Sequence, residues 1–505
     1  MSDKFVLVLG IGKSGQATCD YFMSRNVCVL KFDDKLRSSD IINDIRNIDF
    51  RKALFVVQSP GVPFDHPVAL TAKSYGLEVF SDIDIFMKAV REHIRLSYET
   101  QDYCTPSPLL SKGLDPVCFK WDTHNHSAAR PLVIGVTGTN GKSTTVSLIG
   151  QLLKYRYKNV FIGGNIGIPA LNLLYAGQFS NLNANITCDD SFSDGDLLCT
   201  PFIYVLELSS YQLELSGPLD LDFAVLTNIS PDHIDRHGSF EKYVNAKKKI
   251  FEHNNCDVFL CLEGALSETI RSECMSQKRT VTTISERVGV DVFVDSCGTC
   301  HLKNELCIDL ASNSKLLGRH NWMNMAIACA IGVHLEIRPS ANMIASLKGL
   351  PHRIEFLGNL NNVIFVNDSK ATNADSTIKA LDCFPSSEIF LIAGGKAKFE
   401  GIAPVIPHMK NVKEVFLIGD ATDRFESELG DVKHRACGNL ANALNQAFIA
   451  TTLDTSDDMQ LVDDKQKVIL LSPACASFDQ FKNYEERGDT FRLLVRDLLE
   501  RVRHG

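Results

Sequence analysis

The stretch Val133-Ile-Gly-Val-Thr-Gly-Thr-Asn-Gly-Lys-Ser-Thr-Thr145 decides the fold of this chain. Its β-branched beginning, from Val133 to Thr137, predicts a buried strand, and an apolar helical pattern begins at Lys142. Between them, glycines allow backbone N–H groups to surround an anion, and the helix N-terminus adds partial positive charge. The stretch is therefore predicted to be a phosphate-binding loop, in a short form that has Val136 where longer forms have their first glycine.

In such a loop the lysine reaches the β- and γ-phosphates of a nucleoside triphosphate, and the next hydroxyl can bind Mg²⁺. These roles fall to Lys142 and Ser143. A glycine-rich turn with a chance lysine is the alternative, which the strand before and the helix after disfavour. The loop residues predicted to bind ATP are Gly138, Thr139, Asn140, Gly141, Lys142, Ser143 and Thr144.

Length, charge and cysteine usage limit the class of protein. The 505 residues should form about three domains. A net charge of −9 argues against broad nucleic-acid binding, which needs clustered Lys and Arg. The cysteines are scattered, and the pair Cys297 and Cys300 has no second pair to complete a zinc site, so reduced thiols are expected. Neither a signal peptide nor an apolar run of spanning length is recognisable, so we expect a cytoplasmic protein without membrane contact.

Residues 1–90 follow the dinucleotide-binding plan. A predicted strand leads into Gly10-Ile-Gly12-Lys-Ser-Gly15 and a helix, and a second strand ends in Asp33-Asp34, where an acid can hold a ribose hydroxyl. Ser59-Pro-Gly61 follows a further strand, at the edge where open α/β sheets bind ligands. Alone this pattern is a weak indication, because a glycine-rich turn before a helix often serves packing only.

Three predicted strands of the central region, residues 131–350, end in polar residues. One ends before Asn165, the next delivers Glu207, and the third precedes Asp232 and His233. Because the carboxyl ends of parallel strands meet at one edge, we expect these groups beside the phosphate loop, where Mg²⁺ needs hard oxygen ligands. Residues 91–130 lack periodicity and are interpreted as a linker enlarged by an insertion, and residues 177–200 as a surface loop.

Two predicted helices carry further candidate residues. Lys247 stands in a run of three lysines, whose ordinary interpretation is a solvated helix face. Asn321 and Asn324 introduce another helix and could pair with the edges of an adenine ring; alternatively, Asn321 is a helix cap.

From residue 351 onward a second series of strands and helices follows, and its strands again end in polar turns. The predicted fold class is α/β with three domains: a Rossmann-like N-terminal domain (1–90), a central phosphate-loop ATPase domain (131–350) and a Rossmann-like C-terminal domain (351–505).

Several motifs resemble signatures of the Mur ligases, which form amide bonds in bacterial peptidoglycan synthesis. The resemblance covers nearly the whole chain apart from the two irregular stretches. The motifs shared across these ligases and the folylpolyglutamate synthetases are Thr137–Ser143, Gly164–Gly167, Asp232–Arg236 and Gly318–Asn321. Those that resemble the D-glutamate-adding members are Asn367–Asn373, Ser472–Phe481 and Asn483–Gly488.

The resemblance implies that the first domain binds UDP-N-acetylmuramoyl-L-alanine without any nicotinamide, the second binds ATP and the third binds D-glutamate. The UDP-substrate residues would be Gly12, Ser14, Asp33, Asp34, Ser59, Gly61 and Asn165. The further ATP residues would be Asn321, Asn324, Arg353 and Asp368. The D-glutamate residues would be Thr372, Lys398, Ser477 and Tyr484. The spacing Lys396-Ala-Lys398 departs from the family pattern and leaves Lys396 as the alternative to Lys398.

The resemblance also implies the chemistry. ATP would phosphorylate the L-alanyl carboxylate, and the amine of D-glutamate would attack the acyl phosphate, after the third domain closes over the second. Lys247 would react with CO₂ to form a carbamate, while Lys248 and Lys249 remain ordinary surface lysines. We expect a monomer. The catalytic residues would be Lys142, Asn165, Glu207, His233 and Lys247. The ligands of two Mg²⁺ ions would be Ser143, Glu207, His233 and Lys247.

Three other functions compete with this one. A folylpolyglutamate synthetase shares the ligase chemistry, but the UDP-type first domain and the motif at Ser472 disfavour it. A nicotinamide-dependent dehydrogenase would explain the glycines from Gly10 to Gly15 but leaves the phosphate loop unused. A nucleotide-controlled binding module would explain the loop but not Glu207, His233 and Lys247 together.

Overall fold

The computed structural model describes residues 4–99, 130–176, 201–253, 256–302, 306–314, 316, 318–397, 401–453 and 465–504. The described residues form three β-sheets with helices between their strands, and this arrangement confirms the predicted α/β fold class. By compactness the chain divides into two units, Met1–Ile308 with Met323–Ser340, and Asp309–Trp322 with Ala341–Gly505. Among the described helices, none combines the length and apolar character needed to cross a membrane.

The first sheet has five parallel strands in the order β3-β2-β1-β4-β5. Helix α3 continues to Glu99, into the stretch from residue 91 that was predicted to be a linker. The rest of that stretch, residues 100–129, lies outside the described residues, as do residues 177–200. The strands are β1 (Phe5–Leu9), β2 (Val29–Phe32), β3 (Ile41–Ile42), β4 (Ala53–Gln58) and β5 (Val79–Ser81), and the helices are α1 (Lys13–Met23), α2 (Pro67–Ser74) and α3 (Asp82–Glu99).

The second sheet has nine strands in the order β14-β13-β12-β11-β10-β9-β6-β8-β7, parallel from β7 to β12, with β13 antiparallel to β12. The strands are β6 (Leu132–Thr137), β7 (Val160–Gly164), β8 (Ile203–Glu207), β9 (Phe223–Leu226), β10 (Asp257–Cys261), β11 (Val281–Ser285), β12 (Val292–Val294), β13 (Thr299–Leu302) and β14 (Leu306–Asp309). The helices are α4 (Lys142–Leu153), α5 (Ala170–Ala176), α6 (Ser210–Leu215), α7 (Ile234–His237), α8 (Phe240–Lys248), α9 (Ala265–Ser276), α10 (Leu310–Asn313) and α11 (Arg319–His334).

Strand order places the phosphate loop at the centre of the site. Strand β6, which precedes the loop, lies between β8 and β9. The register pairs Val136 with Glu207 and Thr137 with Leu226. The predicted convergence of these strand ends at one edge is therefore confirmed.

The first two sheets share one hydrophobic core. Phe86 of α3 packs edge-on against Tyr204 of β8, with ring centroids 5.2 Å apart. Arg25, just after α1, donates a hydrogen bond to the hydroxyl of Tyr175 on α5 at 2.9 Å. This continuous burial explains why both sheets belong to one compact unit.

The third sheet has six strands in the order β15-β16-β20-β17-β18-β19, all parallel except β15, which is antiparallel to β16. The strands are β15 (Glu355–Leu360), β16 (Val363–Asn367), β17 (Glu388–Gly394), β18 (Val412–Ile418), β19 (His434–Gly438) and β20 (Lys467–Leu471). The helices are α12 (Ala341–Ser346), α13 (Ala374–Leu381), α14 (Thr422–Leu429), α15 (Leu440–Leu453) and α16 (Tyr484–His504).

Candidate active site

Two glycines shape the phosphate loop between β6 and α4. Gly138 has φ +145° and Gly141 has φ +79°, values that residues with a Cβ rarely adopt. A Cβ added to Gly138 would lie 2.0 Å from the Thr227 hydroxyl, and one added to Gly141 would lie 2.6 Å from the Asn324 side-chain oxygen. The loop therefore requires glycine at both positions.

Asn228, which follows β9, holds the phosphate loop through two hydrogen bonds to its backbone. Its carbonyl accepts the N–H of Thr139 at 2.9 Å, and its side-chain oxygen accepts the N–H of Asn140 at 2.9 Å. The Thr227 hydroxyl donates to the Asn140 carbonyl at 2.7 Å. Asn228 is not among the predicted site residues, although its position after the strand beside β6 could have indicated it.

Two lysines converge on one carbonyl of the loop. Lys142 Nζ donates to the carbonyl oxygens of Gly138 and Thr139, at 2.9 and 2.8 Å. Lys247, on α8 and only 2% exposed, donates from Nζ to the same Gly138 oxygen at 2.6 Å. Burial, followed by the charge of Lys142, lowers the pKa of Lys247 to about 7. Lys247 is therefore not part of a solvated helix face.

The expectation of an ordinary surface lysine is wrong for Lys249, whereas Lys248 has a partly exposed side chain that pairs with an exposed carboxylate. Lys249 is half-buried, and its Nζ donates to the carbonyls of Glu214 and Ser216 at 3.0 and 2.7 Å, at the end of α6. A lysine in this position satisfies the last carbonyls of a helix. Lys248 lies 2.5 Å from Glu273 Oε2.

Glu207, at the end of β8, has one carboxylate oxygen bonded and one without a partner. Oε1 accepts a hydrogen bond from Asn165 Nδ2 at 2.8 Å, and the Asn165 backbone N–H donates to the Glu207 carbonyl at 2.9 Å. Oε2 is buried and has no hydrogen-bond partner within the described part of the chain. A buried, unpartnered carboxylate oxygen is unfavourable unless a cation binds it, so this atom fits a metal ligand.

His233 lies on the loop before α7 with φ +52°, and its side chain is about half exposed. Its Nδ1 is 3.1 Å from the Tyr211 hydroxyl, and its Nε2 is 3.5 Å from an oxygen of Asp232. Tyr243 connects this loop to the phosphate loop, because its ring lies 6.5 Å from that of His233 and its hydroxyl lies 2.9 Å from that of Thr139.

The remaining predicted ATP residues are divided between the two units. Ser143 and Thr144 are buried in the first turn of α4, and Asn324 Oδ1 accepts a hydrogen bond from the Thr145 hydroxyl at 3.1 Å. Asn321 is the third residue of α11, so the alternative that it caps this helix is wrong. Asn321 belongs to the second unit. Contact of either asparagine with adenine stays a prediction.

The glycine turn of the first domain has one packed side and one open side. A Cβ at Gly15 would lie 1.9 Å from the Gly10 carbonyl oxygen, which also accepts the Ser59 hydroxyl at 2.6 Å. At Gly12 and Gly61 an added Cβ would meet no protein atom within 4 Å. Gly15 therefore serves packing, whereas Gly12 and Gly61 leave space for a ligand.

Of the two predicted acids of this domain, Asp33 bonds to that turn and Asp34 contacts His66 instead. Asp33 Oδ2 accepts the N–H of Ile11 at 2.8 Å, and Oδ1 accepts two backbone N–H groups further along its own loop. Burial raises the pKa of Asp33, but these three hydrogen bonds outweigh it and the net pKa is lowered. Asp34 Oδ2 is 2.8 Å from His66 Nε2.

Asp82, at the start of α3, is a buried carboxylate that sequence reasoning did not single out. It is 3% exposed, and its Oδ1 has no hydrogen-bond partner in the described regions. Burial raises the pKa of Asp82 to about 6, an increase partly offset by Ser14 of the glycine turn and Gln212 of α6. The group thus lies where the first domain meets the central one.

In the second unit, polar residues gather where β16 and β20 end. Asp368 is buried, and its Oδ2 accepts the Ser472 hydroxyl at 2.8 Å; burial raises its pKa to about 7. Lys370 Nζ lies 5.1 Å from the centre of the Tyr484 ring. Ser477 is buried, Thr372 is half-buried, and Arg353 lies in the turn before β15. Lys398 lies outside the described residues, whereas Lys396 is exposed and forms an antiparallel bridge with Ala476.

Arg487, absent from the predicted set, holds these segments together. It is fully buried and donates to the hydroxyl and carbonyl of Ser369, at 3.0 and 2.8 Å, and to the carbonyl of Cys475 at 3.1 Å. The Ser369 hydroxyl in turn donates to the carbonyl of Tyr484 at 2.8 Å.

Residues 136–332 match the family described as Mur ligase middle domain. Over 523 aligned positions the chain is 36% identical to the UDP-N-acetylmuramoylalanine–D-glutamate ligase of Rhodospirillum rubrum, covering 97% of this chain and 94% of the relative. It is 33% identical to the ligase of the same name from Nitrobacter hamburgensis, covering 98% and 97%.

Solved structures share the fold at low sequence identity. The UDP-N-acetylmuramate–alanine ligase of Thermotoga maritima gives a TM-score of 0.53 at 15% identity, covering 98% of this chain and 99% of that one. A pseudomurein peptide ligase type C from Methanothermus fervidus gives 0.50 at 15% identity, covering 98% and 100%.

Proposed function

The chain belongs to the Mur ligase family, and we propose that it joins D-glutamate to UDP-N-acetylmuramoyl-L-alanine in peptidoglycan precursor synthesis, converting ATP to ADP and phosphate. The name of the full-length relatives supports this specificity. The observation that carries the chemistry is the convergence of Lys142, Glu207 and Lys247 on the phosphate loop. The proposed enzyme works as a cytoplasmic monomer.

The first step activates a carboxylate, which is itself a poor electrophile. An oxygen of the L-alanyl carboxylate attacks the γ-phosphorus of ATP, the bond to the β-phosphate oxygen breaks, and ADP leaves an acyl phosphate. Lys142 turns from the loop carbonyls to the phosphoryl oxygens and stabilises their charge, together with the N–H groups at the start of α4. Asn165 and His233 orient the carboxylate.

The residues at this edge fit Mg²⁺. The buried Oε2 of Glu207 has no hydrogen-bond partner among the described residues and is a hard oxygen ligand. Ser143 can contribute a hydroxyl, and His233 can contribute a ring nitrogen. The described residues contain no group of three or more His, Cys, Asp or Glu side chains spaced to hold a metal. In the proposed enzyme, phosphate oxygens of ATP and a carbamate on Lys247 would be the further ligands of the two ions. Mg²⁺, when bound, neutralises charge on the phosphoryl oxygens.

Lys247 is suited to become a carbamate. Its neutral amine would attack CO₂ to give an N-carboxylate and release a proton, which converts a cation into a ligand for Mg²⁺. A pKa of about 7 makes a large share of this amine neutral and nucleophilic at neutral pH, unlike an ordinary lysine. The carbamate keeps one N–H, which could still donate to the Gly138 carbonyl.

The second step forms the amide bond. The amine of D-glutamate, after loss of a proton, attacks the acyl carbon, and phosphate leaves from the tetrahedral intermediate. Thr372, Ser477 and Tyr484, with Lys398 or Lys396, are proposed to bind D-glutamate. Arg353 and Asp368 are proposed to contact ATP. Exclusion of water protects the acyl phosphate from hydrolysis.

The first domain is proposed to hold the UDP group. The open sides of Gly12 and Gly61 permit close approach of a pyrophosphate to the backbone. Ser14, Asp33, Asp34 and Ser59 are proposed to contact the same substrate, and Asp33 and Ser59 bond to the backbone of this turn.

Phosphate release from ATP tests this function. We expect release only when UDP-N-acetylmuramoyl-L-alanine and D-glutamate are both present, and no release when L-glutamate replaces D-glutamate. Release with a tetrahydrofolate and L-glutamate would instead indicate a folylpolyglutamate synthetase. ATP binding with no phosphate release in any of these substrate combinations would favour a nucleotide-controlled binding module.

A further inference from the structure

The last three strands of the second sheet, β12, β13 and β14, carry a cluster of reactive side chains that the ligase reaction does not use. The turn after β12 carries Asp295, β13 carries His301 and β14 carries Cys307, and the three side chains lie in a row. His301 Nε2 is 3.1 Å from Asp295 Oδ2, and His301 Nδ1 is 3.2 Å from Cys307 Sγ. The order is carboxylate, imidazole, thiol, which is the order of a nucleophile with its base and the group that orients the base.

Asp295 is held in place by the turn between β12 and β13. Its Oδ1 accepts the backbone N–H groups of Cys297 and Thr299, each at 2.9 Å. The bonds from Thr299, His301 and Cys297 keep the pKa of Asp295 below its usual range. Its Oδ2 remains for His301, so the imidazole carries its proton on Nε2 and presents Nδ1 as an acceptor to the thiol.

The ring and the thiol are also suitably placed. The ring of Phe293 stacks on that of His301, with centroids 5.4 Å apart and an interplanar angle of 22°, which fixes its orientation. Cys307 is exposed, so a reagent in solution can reach its sulfur. Cys300, on β13, is buried, and burial raises its pKa to about 12, so its sulfur is neither accessible nor readily deprotonated.

We propose that Cys307 is a thiol-modification site that forms a mixed disulfide with small disulfides, with His301 as the base. In this reaction His301 Nδ1 accepts the thiol proton while Sγ attacks one sulfur of the disulfide. The original S–S bond breaks, a new S–S bond to Cys307 forms, and the other sulfur leaves as a thiolate. The Cys307 sulfur is oxidised and the leaving sulfur is reduced, so no further oxidant is needed.

The rate of modification at each cysteine tests this proposal. The full-length protein is mixed with limiting 4,4′-dithiodipyridine at pH 7, quenched at intervals and analysed by peptide mass spectrometry. Cys28, which is exposed on another domain, is the internal reference. We expect Cys307 to react at least roughly tenfold faster than Cys28, because general-base assistance commonly contributes that much or more.

Two variants separate the base from mere exposure. Asp295→Asn keeps a side-chain oxygen for the turn, but its amide donates to His301 Nε2 and shifts the ring proton to Nδ1, which then cannot accept the thiol proton. His301→Gln removes the imidazole. We expect Cys307 to fall to the rate of Cys28 in both variants while Cys28 itself is unchanged. Equal rates at the two cysteines in the unaltered protein, or a Cys307 rate unaffected by both substitutions, would overturn the proposal.

Discussion

The amine of Lys247 lies 2.6 Å from the carbonyl oxygen of Gly138, the first glycine of the phosphate loop. Helix α8, which follows β9 in the sequence, thus places the buried nitrogen of Lys247 where the γ-phosphate of ATP is expected. Burial, and after it the charge of Lys142, makes a positive charge on this nitrogen unfavourable, and conversion to a carbamate would remove that charge.

Lys247→Ala should lower kcat by roughly 100-fold, because a ligand for Mg²⁺ at the transferring phosphoryl group is lost. Added acetate should restore part of the activity by occupying the vacated position. Lys242→Ala, at an exposed position of the same helix, is the matched control and should change nothing. The measurement is phosphate release in CO₂-depleted buffer with and without bicarbonate or acetate. Full activity of Lys247→Ala without any added carboxylate would disprove the carbamate.

Lys249→Ala, in contrast, should lower the unfolding temperature, because the carbonyls of Glu214 and Ser216 lose their donor. Thermal unfolding and the activity assay should therefore distinguish Lys249 from Lys247. Lys249→Ala is expected to unfold at a lower temperature, and acetate is expected to have no effect on its rate of phosphate release. An unchanged unfolding temperature would contradict this structural role.

Glu207→Gln should raise the Mg²⁺ concentration needed for half-maximal activity by roughly tenfold or more, since a neutral amide is a weaker ligand than a carboxylate. The bond from Asn165 should persist, because the glutamine side-chain oxygen can still accept it. Glu241→Gln, at an exposed position of α8, is the control. Titration of Mg²⁺ at saturating substrates is the measurement, and identical curves for Glu207→Gln and the unaltered protein would remove Glu207 from the metal site.

Gly12→Leu should raise KM for the UDP substrate roughly tenfold and leave KM for ATP and the unfolding temperature unchanged, because the added side chain enters open space beside the backbone. Gly15→Ala should instead destabilise the first domain, since its Cβ would lie 1.9 Å from the Gly10 carbonyl oxygen. Steady-state kinetics and thermal unfolding of both variants provide the check. An unaltered KM for the UDP substrate in Gly12→Leu would place the pyrophosphate elsewhere.

Asp82→Asn should stabilise the protein above pH 6. Burial raises the pKa of Asp82 from 3.8 to about 6, so the folded state holds its proton more tightly than the unfolded state. Ionisation of the buried Asp82 therefore lowers the free energy of unfolding. This loss is absent below about pH 4 and reaches roughly 3 kcal/mol as the pH rises through 6. The difference in unfolding free energy between variant and unaltered protein should grow from pH 5 to pH 8. A difference independent of pH would show that Asp82 keeps an ordinary pKa.

Features that depend on local sequence could be predicted. The apolar run from Leu132 to Thr137, the glycines after it and the polar ends of β8 and β9 all lie within short segments whose period and composition indicate their structure. Parallel pairing then brings Glu207 to the phosphate loop, because strand ends meet at one edge. The linker prediction is wrong in part, because helix α3 continues to Glu99 and occupies the first residues of the predicted linker.

Features that depend on packing between distant segments could not be predicted. The sequence gives no sign that Asp82 meets Ser14 and Gln212, or that Arg487 reaches Ser369, because each contact joins residues from separate elements. Likewise, the pattern of three consecutive lysines does not show that Lys247 faces the core, because this depends on how α8 packs against the loop.

The most direct test of the central claim, that ATP activates the L-alanyl carboxylate as an acyl phosphate, follows an oxygen atom. UDP-N-acetylmuramoyl-L-alanine labelled with ¹⁸O at both carboxylate oxygens is incubated with the enzyme, ATP and D-glutamate, and the released phosphate is analysed by mass spectrometry. Attack of the carboxylate on the γ-phosphorus followed by loss of phosphate to the amine predicts one ¹⁸O in each phosphate released. Phosphate without label, formed while the amide product accumulates, would contradict the account.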